Sequence, residues 1–110
     1  MPVPQISVVE LEAALAAGAH LYDVREPSEY RIAHVEGAVL IPLGEVVDSI
    51  DKFDSVAAVY LICASGARSD RAAQYLRSRG IDAHNVAGGT NAWIKSGRKV
   101  HGDHNEANQS

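Results

Sequence analysis

The sequence is poor in cysteine, in net positive charge and in long apolar runs, and each shortage narrows the functions open to it. Cys63 is the only cysteine among 110 residues, which excludes an intramolecular disulfide and a metal site built from cysteines alone. Because small secreted domains commonly depend on disulfides, we expect a reducing, cytoplasmic setting. No stretch approaches the roughly 20 apolar residues of a membrane-spanning helix, so no membrane partner is predicted.

The charge balance and the first residues also exclude classes of function. Ten Lys and Arg against 14 Asp and Glu give a formal net charge of -4, and we therefore predict no nucleic-acid partner. Residues 1–5 lack the basic region and apolar run of a secretory signal. The length fits one domain, without repeat or linker. We predict a domain over residues 1–100 and a disordered, polar tail over residues 101–110.

Apolar runs and helical patterns alternate along the chain. Strands are predicted at Ile6 and over residues 21–24, 39–41, 57–62 and 83–86; helices are predicted from the capping box Ser7–Glu10 to before Gly18, from Pro27, and over 44–50, 69–79 and 91–95. This alternation is typical of a parallel α/β sheet. Functional sites in such sheets lie beyond the carboxyl ends of the strands, where Cys63 and Asp23 are placed.

Cys63 stands between the predicted strand 57–62 and the helix that follows it. The loop between them consists of small residues and contains Gly66, which tolerates positive φ. Free N–H groups at the helix start can turn toward an anion and favour a thiolate. Placement alone leaves two interpretations open, a reactive thiol and a buried structural cysteine.

Four motifs resemble those of the rhodanese family, the sulfurtransferases, in the family's order. The loop matches C-x-x-G-x-R, and the other matches are D-x-R, G-H-I-x-G-A-x-x-I-P and G-G-x-x-x-W. They are carried by Cys63-Ala64-Ser65-Gly66-Ala67-Arg68, by Asp23-Val24-Arg25, by Ala33-His34-Val35-Glu36-Gly37-Ala38 with Ile41-Pro42, and by Gly88-Gly89 with Trp93. The resemblance covers roughly residues 7–97.

This resemblance implies a fold and a chemistry. The fold is a five-stranded parallel sheet of order 1-5-4-2-3 with helices on both faces, so residues 1–100 would form a rhodanese-like domain with Asp23 and Arg25 beside the Cys63 loop. The chemistry is transfer of a sulfane sulfur from a donor to a thiophilic acceptor, cyanide or a thiol, through a Cys63 persulfide. The implied anion hole consists of Ala64, Ser65, Gly66, Ala67, Arg68 and Ser69. Neither a metal nor another cofactor is expected.

The charged residues of the motifs each have two interpretations. Arg68 either has a functional role, in which it grips the donor's oxygens or braces the loop, or is a solvated helix arginine. Asp23 either accepts N–H bonds from the loop or forms a salt bridge at the strand end, and Arg25 is expected to pair with Glu29. His34 is interpreted as a hydrogen-bonded scaffold residue rather than a metal ligand, and Trp93 as a core residue.

Three functions remain open, and so does the sulfur donor. Relatives that use thiosulfate often carry Arg or Lys directly after the cysteine, where this chain has Ala64 and Ser65. A protein persulfide or a small organic persulfide is therefore as plausible a donor as thiosulfate. The leading prediction is a sulfurtransferase, and the non-enzyme alternative is a sulfur carrier loaded by a partner. A phosphatase or arsenate reductase is the third; it is disfavoured because that branch of the fold has a loop one residue longer.

Overall fold

A parallel sheet of five strands organises the fold, in the order β1-β5-β4-β2-β3. The computed structural model describes residues 2–103. Each pair of neighbouring strands is parallel. The strands are β1 (Gln5–Ile6), β2 (His20–Asp23), β3 (Val39–Leu40), β4 (Val59–Ile62) and β5 (Ala83–Val86). The structure thus confirms the predicted α/β class and the strand order.

The sheet is covered by helices on both faces. They are α1 (Val8–Ala16), α2 (Pro27–Ile32), α3 (Ala67–Ser78) and α4 (Gly89–Lys95). The start of α1 is the predicted capping box, in which the Ser7 hydroxyl accepts the Glu10 N–H at 3.1 Å and the Glu10 carboxylate accepts the Ser7 N–H at 2.9 Å. Pro27 occupies the first position of α2, where its missing N–H costs no hydrogen bond.

Successive side chains of β4 point to opposite faces of the sheet and pack in two separate hydrophobic clusters. Leu61 packs in the cluster that includes α3, whereas Ile62 packs on the opposite face with Trp93 of α4; both β4 side chains are fully buried. A strand apolar on both faces belongs in the centre of a parallel sheet, which is where β4 lies. Cys63 directly follows β4 and is directed to the α3 side.

The predicted helix over residues 44–50 is wrong. The segment instead forms 3₁₀ turns at Leu43–Glu45 and Ile50–Lys52. A seven-residue segment containing the β-branched pair Val46 and Val47 gains too little to offset helix nucleation. Packing decides the outcome, since Val46 is buried in the core beneath α3.

Strand β4 begins two residues later than predicted, at Val59 rather than residue 57. The Asp54 carboxylate accepts the N–H groups of Val56 at 2.7 Å and Ala57 at 3.1 Å. This local turn competes with strand pairing for the same backbone donors and delays the strand.

Order extends past the domain boundary expected at residue 100. The backbones of His34 and His101 exchange two hydrogen bonds of 2.8 Å, forming an isolated antiparallel bridge. The start of the predicted tail thus contacts the domain at His34, while residues 104–110 of that tail lie outside the described residues. Within residues 2–103, each helix is too short or too polar to cross a membrane.

Candidate active site

The Cys63 sulfur lies at the focus of the loop that joins β4 to α3. The Gly66 N–H donates to Sγ at 3.1 Å, and the Ser69 hydroxyl lies 3.3 Å from Sγ. Gly66 has φ +110° and forms the N-cap of α3, so the chain turns back over the sulfur there. The side chain is only 1% exposed. The sulfur is therefore both buried and surrounded by donors.

These donors decide the ionisation of the thiol. Burial raises the pKa of Cys63, but hydrogen bonds from the Ser69 hydroxyl and from the backbone N–H groups of Ser69, Gly66 and Ser65 lower it more. The net effect is a pKa below the ordinary value for a thiol. Since the thiolate is the nucleophilic form, the geometry favours a reactive cysteine over an inert structural one.

The role of the Ser69 hydroxyl can be tested by alkylation. Because ionisation requires loss of a proton, the rate of Cys63 alkylation by iodoacetamide should rise as the pH rises through the pKa of the thiol. Ser69→Ala removes one donor to the thiolate, so the midpoint of this profile should move to higher pH. A second substitution, Ser78→Ala, removes a hydroxyl that donates to the Tyr75 carbonyl on the same helix and serves as the control. Superimposable profiles for Ser69→Ala and wild type would contradict this role.

The remaining predicted loop residues have different positions. Ser65 and Ala67 are exposed, and Ala64 is half-buried, with its carbonyl accepting the Asn91 N–H at 3.0 Å. The Cys63 carbonyl accepts the Thr90 N–H at 2.8 Å. The first N–H groups of α4 therefore bind the backbone of the Cys63 loop, because the tight turn at Gly88 and Gly89, both with positive φ, directs them toward it.

Asn85 is a site residue that the sequence analysis missed. It lies on β5 and is 2% exposed. The Ser69 hydroxyl has one proton, for which Asn85 Oδ1 at 2.5 Å competes with the Cys63 sulfur at 3.3 Å. Asn85 Nδ2 donates to the Gly66 carbonyl at 3.1 Å and to Gln5 Oε1 at 2.8 Å. Asn is uncommon inside strands, and a buried amide requires partners, so its place among apolar strand residues was an available signal.

Arg25 pairs with Asp23, and the expected pairing with Glu29 is wrong. Arg25 Nε lies 3.0 Å from Asp23 Oδ1 and Nη2 lies 2.8 Å from Oδ2; Nη2 also donates to the Ala33 carbonyl at 2.6 Å. Asp23 is fully buried and also accepts the Arg25 N–H at 3.0 Å. The geometry favours the salt bridge at the strand end, which ties β2 to the end of α2.

Glu29 instead holds Arg68. The two terminal nitrogens of Arg68 lie 2.8 and 2.9 Å from the two Glu29 oxygens. The hydrogen bonds from Arg68 lower the pKa of Glu29 to about 2, and the same pairing raises the pKa of Arg68. Both side chains are about one-third exposed, at 36% and 34%. Arg68 therefore braces the loop against α2, as one of its two interpretations required.

Among residues 2–103, no three His, Cys, Asp or Glu side chains are placed so that together they could hold a metal ion. His34 stacks on Tyr30 with ring centroids 3.7 Å apart, and its Nδ1 lies 2.8 Å from the Tyr30 carbonyl. These contacts fit the scaffold role expected for His34. The Trp93 Nε1–H donates to the Lys99 carbonyl at 2.8 Å from a buried position, as a core residue requires.

Comparison with known proteins adds three similarities. The chain is 35% identical over 94 residues to "Putative sulfur carrier protein YrkF" of Bacillus subtilis. The aligned region covers 83% of this chain but only 51% of YrkF. It is 33% identical over 79 residues to "Thiosulfate sulfurtransferase GlpE" of Vibrio cholerae, covering 71% and 74% of the two chains. The crystal structure of a rhodanese-like domain protein from Staphylococcus aureus is similar with a TM-score of 0.78 and 34% identity, covering 83% of this chain and 91% of that one.

The family assignment rests on most of the chain. The model of the Rhodanese-like domain matches residues 7–96, which include the Cys63 loop, the Asp23–Arg25 pair and the glycine turn before α4. The chain spans about half the length of YrkF, so the comparison with that protein concerns the domain alone. On this match, the chain belongs to the rhodanese-like domain family.

Proposed function

We propose that the protein is a cytoplasmic sulfurtransferase that carries a sulfane sulfur on Cys63. The observation that supports this most strongly is that the Gly66 N–H and the Ser69 hydroxyl lie 3.1 and 3.3 Å from the same sulfur atom. Such a cradle stabilises a thiolate before the reaction and a persulfide anion after it.

The proposed reaction has two steps and needs neither metal nor redox cofactor. In the first, the Cys63 thiolate attacks the outer sulfur of the donor, the donor's own S–S bond breaks, and the donor leaves with the electron pair. With thiosulfate the products are Cys63–S–S⁻ and sulfite. In the second, cyanide or a thiolate attacks the outer sulfur of the persulfide and regenerates the Cys63 thiolate.

The experiment follows the mass of the intact protein. Treatment with polysulfide or thiosulfate should add the mass of one sulfur atom, and cyanide should remove it with formation of thiocyanate. Protein alkylated beforehand with iodoacetamide at Cys63 is the control and should gain nothing. A protein that takes up no sulfur from any sulfane donor, yet hydrolyses an aryl phosphate, would contradict the proposal in favour of a phosphatase.

A second candidate function is a sulfur carrier. It is favoured by the similarity to "Putative sulfur carrier protein YrkF" and by the 1% exposure of Cys63, which restricts access of free donors. A carrier would load only from a partner desulfurase and would release sulfur only to a partner acceptor. The mass experiment distinguishes a sulfurtransferase from a carrier, since a carrier would not gain a sulfur atom from polysulfide alone and would form no thiocyanate with cyanide.

A further inference from the structure

We propose that Asn85 is a positioning residue that controls the reactivity of Cys63 by competing with the sulfur for the proton of the Ser69 hydroxyl. The hydroxyl donates to Asn85 while the sulfur is uncharged and turns to Cys63 when the sulfur is a thiolate. This role rests on the proposed function and deepens it, because Cys63 alternates between a charged and an uncharged sulfur as it gains and loses the sulfane sulfur.

The direction of the hydrogen bonds around Asn85 is determined by groups that can only accept. Gln5 Nε2 donates to the Asp70 carboxylate at 2.8 Å, so the other end of that amide, Oε1, faces Asn85. Asn85 Nδ2 therefore donates to Gln5 Oε1 at 2.8 Å and to the Gly66 carbonyl at 3.1 Å. With both Nδ2 protons used in this way, Oδ1 is the atom that faces Ser69, and an amide oxygen can only accept.

The Ser69 hydroxyl has a single proton and three acceptors within reach. Asn85 Oδ1 lies 2.5 Å from Ser69 Oγ, whereas the Cys63 sulfur and the Gly66 carbonyl oxygen both lie 3.3 Å away. Ser69 and Asn85 are 0% and 2% exposed, so bulk water supplies no substitute partner. The proton is therefore held by Asn85 while the sulfur is a neutral thiol, and a lone pair of Ser69 Oγ accepts the thiol S–H.

Ionisation of Cys63 reverses this preference. The thiol proton leaves to solvent, and a hydrogen bond to the resulting anion is about twice as strong as one between neutral groups. Rotation of the Ser69 hydroxyl then directs its proton to the sulfur, and the proton stays on Oγ throughout. Formation of the thiolate thus costs the hydrogen bond between Ser69 and Asn85. Asn85 thereby stabilises both uncharged forms of the sulfur, the thiol and the inner sulfur of the persulfide.

The charged groups around the sulfur are not altered by this exchange. Charged side chains on the surrounding elements are Arg68 and Asp70 on α3, Glu29 on α2, and Asp23 and Arg25 near the end of β2. Four of them form the two ion pairs described above, and the Asp70 carboxylate accepts from the side chains of Gln5 and Gln74. Since the substitutions below remove none of these charges, a change in the ionisation of Cys63 reports on hydrogen bonding.

The test measures the pH dependence of Cys63 alkylation by iodoacetamide in Asn85→Leu, whose side chain is similar in size but neither accepts nor donates. Without the competing acceptor, the Ser69 proton is available to the thiolate, so the midpoint should move to lower pH by about 0.5 pH unit. A merely structural asparagine would give the opposite change, because a loosened loop offers fewer donors to the sulfur. Asn91→Leu removes an exposed amide on α4 and is the matched control; it should leave the midpoint unchanged.

A double variant shows whether the effect passes through Ser69. In the Ser69→Ala background the hydroxyl is absent, so adding Asn85→Leu should cause no further change in the midpoint. An unchanged or higher midpoint in Asn85→Leu alone would overturn the inference. So would a decrease of equal size in the presence and absence of the Ser69 hydroxyl.

A spectroscopic measurement does not depend on the folding of Asn85→Leu. Cys63 is the only cysteine, so the S–H stretching band in the infrared spectrum arises from one thiol. At a pH below the midpoint, the wild-type band should have the lower frequency of an S–H group that donates to oxygen, and Ser69→Ala should move it to higher frequency. Identical bands in the two proteins would contradict the direction assigned to the hydrogen bond between Ser69 and Asn85.

The rates of sulfur transfer connect this exchange to the proposed function. A thiol of lower pKa is a better leaving group, but its thiolate is a weaker nucleophile. At a pH well above both midpoints, Asn85→Leu should therefore release its sulfur to cyanide about twofold faster than wild type and take up sulfur from polysulfide about twofold more slowly. Unchanged rates of both steps would overturn the role of Asn85 in sulfur transfer. Failure of wild type to gain any sulfur would instead overturn the proposed function, while the alkylation profiles would still test the exchange at Ser69.

Discussion

Cys63→Ser should abolish sulfur uptake completely while leaving the fold intact. An alcohol is not ionised near neutral pH and forms no bond to a sulfane sulfur of comparable stability, so neither a persulfide nor turnover should be detected. The hydroxyl accepts the Gly66 N–H as the sulfur does, so the free energy of unfolding should fall by no more than about 1 to 2 kcal/mol. Intact mass after polysulfide treatment, together with urea denaturation, measures both effects.

Ser69→Ala is the matched control for this substitution. It changes a side chain in contact with the same sulfur but leaves the nucleophile, so it should still gain one sulfur atom, more slowly at low pH. Because Cys63 is the only cysteine, a serine variant that still gained sulfur would identify another kind of acceptor and would contradict the mechanism.

Gly89→Ala should cause the largest loss of stability, and sulfur uptake should fall with it. Gly89 has φ +58°, and a Cβ built there would lie 2.4 Å from the Cys63 carbonyl oxygen and 2.7 Å from that of Ala64. Neither backbone oxygen can yield without moving the loop. Left-handed strain and overpacking together should lower the free energy of unfolding by about 2 to 5 kcal/mol, observed as a melting temperature lower by about 10 °C or more.

Gly97→Ala separates strain from contact. Gly97 also has positive φ, +86°, but a Cβ there meets nothing within 4 Å. It should therefore cost only the strain, about 1 to 2 kcal/mol, and sulfur uptake should be retained. Equal melting temperatures for the two alanine variants would show that the close approach of α4 to the loop does not contribute to the stability of the protein.

The position of Cys63 was predictable because it depends on strand ends. Parallel strands finish at one edge of the sheet, and Asp23 pairs in register with Ile62, the residue before Cys63. The pairing of the arginines was not predictable. Glu29 lies within reach of two arginines along the motifs, and only the backbone path over 39 residues decides that Arg68 is its partner. Side-chain reach of this kind is a tertiary property.

The local errors have a different origin. The segment over residues 44–50 has a helical spacing of apolar residues, but burial of Val46 can be achieved by turns as well. The delay of β4 depends on the Asp54 side chain competing for backbone donors. Asn85 escaped attention because its partners, Gln5 and Ser69, come from opposite parts of the chain.

The hydrogen bond between Asn85 and Gln5 bears on the order in which the parts of the chain fold. Gln5 and Asn85 are 80 residues apart, and β1 at one edge of the sheet pairs only with β5, which is made late. Bringing together residues so far apart costs conformational entropy, and non-local pairing of this kind slows folding. We expect the Asn85 side chain to gain its last partner only when β1 docks on β5, so the Ser69 hydroxyl that it contacts should be fixed late in folding.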